Sequence, residues 1–281
     1  MKKLKISHLE WHVAHACNLT CEGCAHFSNH GHKGIINYET LKKWYGNWSH
    51  RLAPRTIDIL GGEPLLNKDI YNIIRLTREM WDDPNLECLN LQTNGFLLHK
   101  YPELPKVLKE TNCRLTLSRH GNSPSYNAEF DPAEKLITRW KEEYDIETCV
   151  ADCYTYWLEM YKGYGNNMMP FEDNDPQKSW DNCVTGQDCF QLLDNNIYKC
   201  APLAYLPYQK EKYNLSSKWD HYLTYKPLTP QCSDFELKEF FDRKCESFCA
   251  MCPSNPKLFK NKDPMIPRSE YEKINIKPIN H

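Results

Sequence analysis

The sequence predicts an α/β protein with a small, cysteine-rich second unit. Short apolar segments alternate with amphipathic helical stretches through the first half, the pattern of parallel strand and helix units. The last hundred residues lose that alternation, and Cys183, Cys189, Cys200, Cys232, Cys245, Cys249 and Cys252 fall there among short, irregular segments.

Taken in order, an apolar strand is expected near Leu9–Ala14 and an amphipathic helix over Tyr38–Trp48, where Leu41, Trp44, Tyr45 and Trp48 recur at helical spacing. The segments TIDIL (Thr56–Leu60), ECLNLQT (Glu87–Thr93), CRLTLS (Cys113–Ser118) and DIETCVA (Asp145–Ala151) read as further strands. Helices are expected over Lys68–Trp81, Glu103–Glu110 and Pro132–Tyr144, the last with Pro132 at a first-turn position. Between Lys162 and Trp180, Gly, Asn, Asp and Pro accumulate, so a boundary or long loop is placed there. The domains are drawn at residues 1–180 and 181–281.

Composition excludes several roles. Lys and Arg number 35 against 37 Asp and Glu, net charge is −2, and no basic run reads as a nucleic-acid footprint. The start, MKKLKISHLEWH, has a basic tip without an apolar segment behind it, and nowhere do about 18 apolar residues run together. A cytoplasmic protein with no membrane partner is expected. Fourteen cysteines at metal-like spacings, with no signal peptide, favour metal or cluster ligation over disulfides. Cys88, Cys113, Cys149 and Cys153 lie in apolar strands or at their edges and read as core packing, as do most of the 17 Tyr and 8 Trp.

Cys17, Cys21 and Cys24 form a CxxxCxxC triplet after the first strand. Three thiolates so spaced can curl around one cubane cluster and leave its fourth iron without a protein ligand. Zinc is the rival: structural zinc wants four ligands, and His15, His26, His30 and His32 keep a Cys₃His site open.

The triplet, its place after the first strand, and LGGEP (Leu60–Pro64) after the second resemble the radical S-adenosylmethionine (radical SAM) enzymes. The resemblance runs from about Lys5 to Ala151, with QTNG (Gln92–Gly95) ending the third strand and LSRHG the fourth. It implies a partial (β/α)6 TIM-like barrel and a [4Fe–4S] cluster on Cys17, Cys21 and Cys24. S-adenosylmethionine is then expected against Gly61, Gly62, Glu63, Pro64, Thr93, Asn94, Ser118 and Arg119. The glycines would let backbone approach the methionine moiety, with Glu63 near its amino group. Ser118 would meet the ribose and Arg119 the carboxylate. Gly23 departs from the family, which often has an aromatic before the third cysteine, packed near adenine. His26 or Phe27 would have to supply that contact.

A second CxxxCxxC, Cys245–Cys252, follows Cys183, Cys200 and the hairpin-like DNNIYKC. This is similar to the twitch or SPASM extension of radical SAM enzymes and implies one auxiliary [4Fe–4S] cluster on Cys183, Cys200, Cys249 and Cys252. A zinc knuckle or a second auxiliary cluster are the alternatives. Cys189, Cys232 and Cys245 are left as candidate hydrogen-atom donors or ligands.

The expected activity is reductive cleavage of S-adenosylmethionine to a 5′-deoxyadenosyl radical, fed by a flavodoxin or ferredoxin-type reductant. The radical would abstract hydrogen from a small polar substrate (a sugar, aminocyclitol or nucleotide-linked metabolite), leading to two-electron oxidation. The alternatives are an epimerase using a cysteine donor, a peptide-modifying maturase, for which Cys17 leaves little room for a leader-binding domain, and a non-enzymatic iron–sulfur electron carrier.

Overall fold

The structure, a computed structural model, describes residues 3–155, 157–173, 175–183, 188–259 and 263–275. It packs as two compact units that interleave along the chain. The first comprises Met1–Asn18, Lys33–Tyr154 and Leu192–Asn195, and the second Leu19–His32, Thr155–Gln191 and Asn196–His281. No helix of the described residues is long and apolar enough to cross a membrane.

The first unit is α/β, as expected. Strands β1 (Leu4–His12), β2 (Leu52–Leu60), β3 (Cys88–Thr93), β4 (Cys113–Ser118) and β5 (Thr148–Ala151) lie in the order β5-β4-β3-β2-β1, all parallel. Helices α1 (Tyr38–Trp48), α2 (Ile70–Met80), α3 (Leu104–Thr111) and α4 (Pro124–Tyr144) connect them, giving a partial barrel. Each side chain along a strand alternates between faces. On one face Leu9, Trp11, Ile57, Ile59, Leu89, Leu91, Leu115 and Leu117 are all buried, and Trp11 packs on Tyr45 of α1 and on Trp81, at 4.8 and 5.6 Å between ring centres. That face is the hydrophobic seam between sheet and helices.

The other face is polar. Register aligns Glu10, Asp58, Asn90 and Arg114 on four neighbouring strands. Asp58 accepts from Asn90 Nδ2 at 2.8 Å and Gln92 Nε2 at 2.6 Å and meets His8 Nε2 at 3.0 Å. Arg114 Nε donates to Asn90 Oδ1 at 3.2 Å. Buried polar groups on a sheet persist only where such partners satisfy them.

Three boundaries differ from the sequence reading, each for a local reason. β1 begins at Leu4 rather than Leu9, because its inward positions are polar and hide the strand period. β2 begins at Leu52 and includes Pro54, which is harmless there because pairing with β3 starts only at Thr56. α4 begins at Pro124, where Ser123 Oγ caps the Tyr126 N–H at 3.1 Å, and Pro132 is interior. Of the four cysteines assigned to the core, Cys113 is buried, Cys88 and Cys153 are half-buried, and Cys149 is exposed near the edge of the sheet.

The second unit contains α5 (Pro176–Asp181), α6 (Ala201–Lys212), α7 (Asp234–Asp242) and α8 (Arg268–Asn275), and the hairpin of β6 (Phe190–Leu193) and β7 (Asn196–Tyr198) is divided, Leu192–Asn195 belonging to the first unit and the rest to the second. Asp194 and Asn195 both take left-handed backbone angles, φ 49° and 64°, which a tight two-residue hairpin turn requires. A polar core forms on the buried turn Ser28–His30. Asn29 Nδ2 donates to the hydroxyls of Tyr161 and Tyr271, both at 3.3 Å, and the His30 ring stacks on Tyr164 at 4.2 Å.

In the first unit Asn67 ties two segments that leave the sheet region: its buried Nδ2 donates to the Val13 and Ile36 carbonyls, both at 2.9 Å. Asn67→Ala is expected to destabilise the protein by about 1–3 kcal/mol, the cost of stranding buried acceptors. Urea denaturation with an unchanged slope and an unchanged midpoint would contradict that assignment.

Candidate active site

Cys17 ends the segment that leaves β1, and the GGEP turn is hydrogen-bonded onto that segment. Gly62 N–H donates to the Ala14 carbonyl at 2.7 Å and Glu63 N–H to the Ala16 carbonyl at 2.9 Å. A β-carbon on Gly61 would press into the Ala14 carbonyl, and one on Gly62 into the Ala16 carbonyl and the His15 backbone. The second glycine is therefore demanded by the chain running into Cys17, one residue away from the closest contact. This adds a requirement that the motif alone does not state.

Glu63 is fully buried and its carboxylate is occupied by the protein itself. Oε1 accepts from Leu65 N–H at 2.9 Å and Thr93 Oγ1 at 2.6 Å, and Oε2 accepts from Asn94 N–H at 2.9 Å. Glu63 thus clamps the end of β2 to the end of β3. Pro64 opens the one-turn helix Pro64–Leu66, a position where its missing N–H costs nothing. Asn94 Nδ2 in turn donates to Asn18 Oδ1 at 2.7 Å and approaches Cys17 Sγ at 4.0 Å. Asn18, which the sequence reading did not single out, is the link between the TNG turn and the first cysteine.

Ser118 ends β4 largely buried, and its hydroxyl bonds the Cys153 thiol. Arg119 lies 4.5 Å above the Phe130 ring, with Asp131, Glu134 and Asp152 carboxylates at 3.5, 3.5 and 3.9 Å. These contacts commit the guanidinium to the first unit's own acidic side chains.

In the second unit, Cys21 is buried and the Cys24 sulfur receives backbone hydrogen bonds from His26, Ser28 and Asn29, and one from the Ser28 hydroxyl. Burial pushes the Cys24 thiol up, and these donors oppose it by favouring the thiolate. None of the four histidines nearby is found in a tight ligand group with these cysteines among the described residues. His30 pairs with Tyr161 at 3.2 Å, and half-buried His26, its pKa lowered to about 4 by desolvation, packs edge-on against Tyr205.

Gly23 explains its own departure from the family pattern. Its φ is +71°, and a β-carbon there would lie 2.8 Å from Cζ of Phe259. The aromatic beside the third cysteine comes from the far end of the chain. Phe27 is instead turned inward, 2% exposed against Tyr161, and is unavailable for that role. No spacing signal in the sequence marks Phe259.

Cys183, Cys200, Cys249 and Cys252 line one cavity of the second unit, with Lys199 and Lys244 in its wall. The sulfurs feel one another electrostatically: burial raises the Cys200 thiol, and Cys252, Cys183 and Cys249 raise it further. Among the described residues no three of these sulfurs fall within 4.8 Å of each other. Four thiolates on one zinc ion, each about 2.3 Å from the metal, would be closer than that. Buried Lys199 donates to the Phe240 and Arg243 carbonyls, its pKa lowered to about 8 by desolvation.

The three candidate donors are not gathered together with one role. Cys245 bonds Cys249 and donates to the Glu246 carbonyl at 3.6 Å, so it borders the four-cysteine cavity without lining it. Cys189 and Cys232 are half-buried, at the start of the hairpin and before α7.

Comparison with known proteins follows the same division. Residues 11–150 match the model of the Radical SAM superfamily. The chain is 32% identical over 99 residues to GTP 3′,8-cyclase of Petrotoga mobilis, covering 34% of this chain and 29% of that protein. It is 31% identical over 139 residues to GTP 3′,8-cyclase of Aliarcobacter butzleri, covering 47% and 41%. These matches span well under half the length of the curated relatives. Among solved structures, BtrN in complex with AdoMet and 2-DOIA aligns over 92% of this chain and 95% of that one, with a TM-score of 0.51 and 17% identity. That likeness is one of fold.

Two outcomes are expected from this geometry. Gly62→Ala should lower iron incorporation on anaerobic reconstitution, because it displaces the backbone leading into Cys17. Full iron content with a wild-type melting temperature would refute the steric account. Burial raises the Glu63 pKa from 4.5 to about 7. A folded-state pKa above the unfolded value gives stability that is complete below about pH 4.5 and is lost as pH rises through 7. Glu63→Gln should flatten that part of the stability–pH curve, and a slope unchanged from wild type would contradict it.

Proposed function

Since residues 11–150 form a radical SAM superfamily domain, we propose that the protein is a radical SAM oxidoreductase that removes two electrons from a small polar substrate. The family implies a SAM-binding [4Fe–4S] cluster and S-adenosylmethionine. Cys17, Cys21 and Cys24 are the residues to hold that cluster. When bound, cluster and cofactor supply a 5′-deoxyadenosyl radical after one electron arrives from a flavodoxin or ferredoxin-type donor.

This chain's residues bind and orient. The GGEP turn, fixed by Glu63 and by its bonds to Ala14 and Ala16, offers backbone to the methionine moiety, so Glu63 acts through the turn it holds. Phe259 provides the ring beside Gly23. The polar sheet face around Asp58 and Asn90 favours a hydroxyl- or amine-bearing substrate over an apolar one.

The convergence of Cys183, Cys200, Cys249 and Cys252 on one cavity carries the oxidative reading. Cys183, Cys200, Cys249 and Cys252 would hold a second cluster there, which would supply the electron acceptor that a two-electron oxidation needs. An epimerase would instead need a thiol to return hydrogen, and the candidate donors have no common location. The cyclase relatives share only part of their length with this chain, so their names bear on radical generation and not on substrate.

Reconstituted anaerobically, the protein should hold about eight irons, from two cubanes of four. The triple variant C17A/C21A/C24A should keep about four. Wild-type protein with about four irons and one zinc would refute the second cluster, and about twelve irons would require a third. With S-adenosylmethionine and dithionite it should release 5′-deoxyadenosine. In D₂O with the true substrate, carbon-bound solvent deuterium in a product of otherwise unchanged mass would replace oxidation by epimerisation.

A further inference from the structure

One peptide group of the second unit has a cation on its carbonyl and a cysteine sulfur on its amide. Arg268 Nη1 donates to the Ser28 carbonyl at 3.2 Å, and the N–H of that same peptide, belonging to Asn29, donates to the Cys24 sulfur. We propose that Arg268 is a positioning residue for the iron–sulfur cluster expected on Cys17, Cys21 and Cys24, its charge relayed through the Ser28–Asn29 peptide so that the cluster is easier to reduce. The inference deepens the function proposed above and rests on its assignment of those three cysteines as ligands.

The relay is built into the chain around it. Ser28, Asn29 and His30 are buried, and in a buried turn hydrogen bonds are electrostatically stronger than in water and polarise one another. The N–H groups of His26 and Ser28 and the Ser28 hydroxyl donate to the same sulfur. At the carbonyl end, Arg268 also donates to the Asn29 carbonyl. Gly31 leaves the space that the arginine occupies: its φ is +72°, and a β-carbon there would lie 2.8 Å from Arg268 Cδ. Arg268 is the first residue of α8, which fixes the base of the side chain. A guanidinium does not lose its proton in a protein, so the charge on this peptide is permanent.

A second cation braces the same turn without sharing a peptide with Cys24. Lys212 donates to the His30 and Gly31 carbonyls. The His30 carbonyl belongs to the peptide whose N–H, that of Gly31, donates to the Ser28 carbonyl at 3.0 Å. Lys212 therefore reaches the sulfur only through a further hydrogen bond. Reduction adds a negative charge to a cluster, and donors on its ligand sulfurs stabilise that charge and raise the potential. A cation on the carbonyl strengthens the amide as a donor, whereas a residue that only braced the turn would alter stability and leave the potential where it was.

A redox titration of the anaerobically reconstituted full chain, followed by electron paramagnetic resonance, tests the assignment. The relevant cluster is the one whose signal changes when S-adenosylmethionine is added. Arg268→Met should make its reduction about tenfold less favourable, a fall of about 59 mV for a one-electron couple. Arg268→Lys, which keeps a cation, should recover most of that fall, and Lys212→Met should change the equilibrium by about twofold or less. An unchanged potential in Arg268→Met, or in Arg268→Gln where the first variant does not fold, would overturn the proposal. An equal fall in Lys212→Met would also overturn it, because the integrity of the turn and not the Arg268 peptide would then set the potential. Wild-type protein with no signal that responds to S-adenosylmethionine would overturn the ligand assignment and this inference with it, a result distinct from a responsive signal that Arg268 does not move.

Discussion

Everything proposed for the first unit depends on one close approach of backbone to backbone. Residues 14–16 leave β1 and pass so near the turn after β2 that the two glycines there cannot carry a side chain. Parallel strands alone would not bring these segments together, because strand pairing ends at His12 and Leu60. The N–H groups of Gly62 and Glu63 continue the contact beyond the ladder, and Cys17 follows immediately. Glu63 then extends the same assembly to β3, and Asn94 returns it to Asn18. The result is a closed loop of hydrogen bonds around the exit of three strands, in which each member satisfies a buried partner.

That arrangement changes how the GGEP motif is understood in this chain. Three protein donors fill most of the buried Glu63 carboxylate's acceptor sites and fix its orientation. In the proposed function its contribution is the shape of the turn. Arg119 makes the same point from the other side of the sheet: a basic residue at a strand end looks available in sequence, while in space three carboxylates and an aromatic ring surround it.

The second unit is organised differently, by a polar core and not by a sheet. Asn29 and His30 gather four tyrosines, Tyr161, Tyr164, Tyr213 and Tyr271, and two cationic side chains, Lys212 and Arg268, onto a single turn. The same turn supplies donors to Cys24. The Cys24 sulfur and the tyrosine cluster are thereby fixed by adjacent residues, and the four-cysteine cavity lies elsewhere in the unit.

Local chemistry determined what the sequence could reveal. The period of α1, the strands at Cys88–Thr93 and Cys113–Ser118, the CxxxCxxC triplet and the GGEP turn are all written in spacing, because helices, strands and tight turns impose short-range rules on residue type. Tertiary structure alone decided the rest. The start of β1, before Leu9, was hidden because its inward positions bear His8 and Glu10, which are tolerated only where Asp58 and its neighbours satisfy them. Phe259 could not be linked to Gly23, nor Asn18 to Asn94, since the partner of a missing side chain or of an amide leaves no trace at fixed sequence distance. Contacts of that kind are set by how the chain closes on itself in space, and no local rule encodes them.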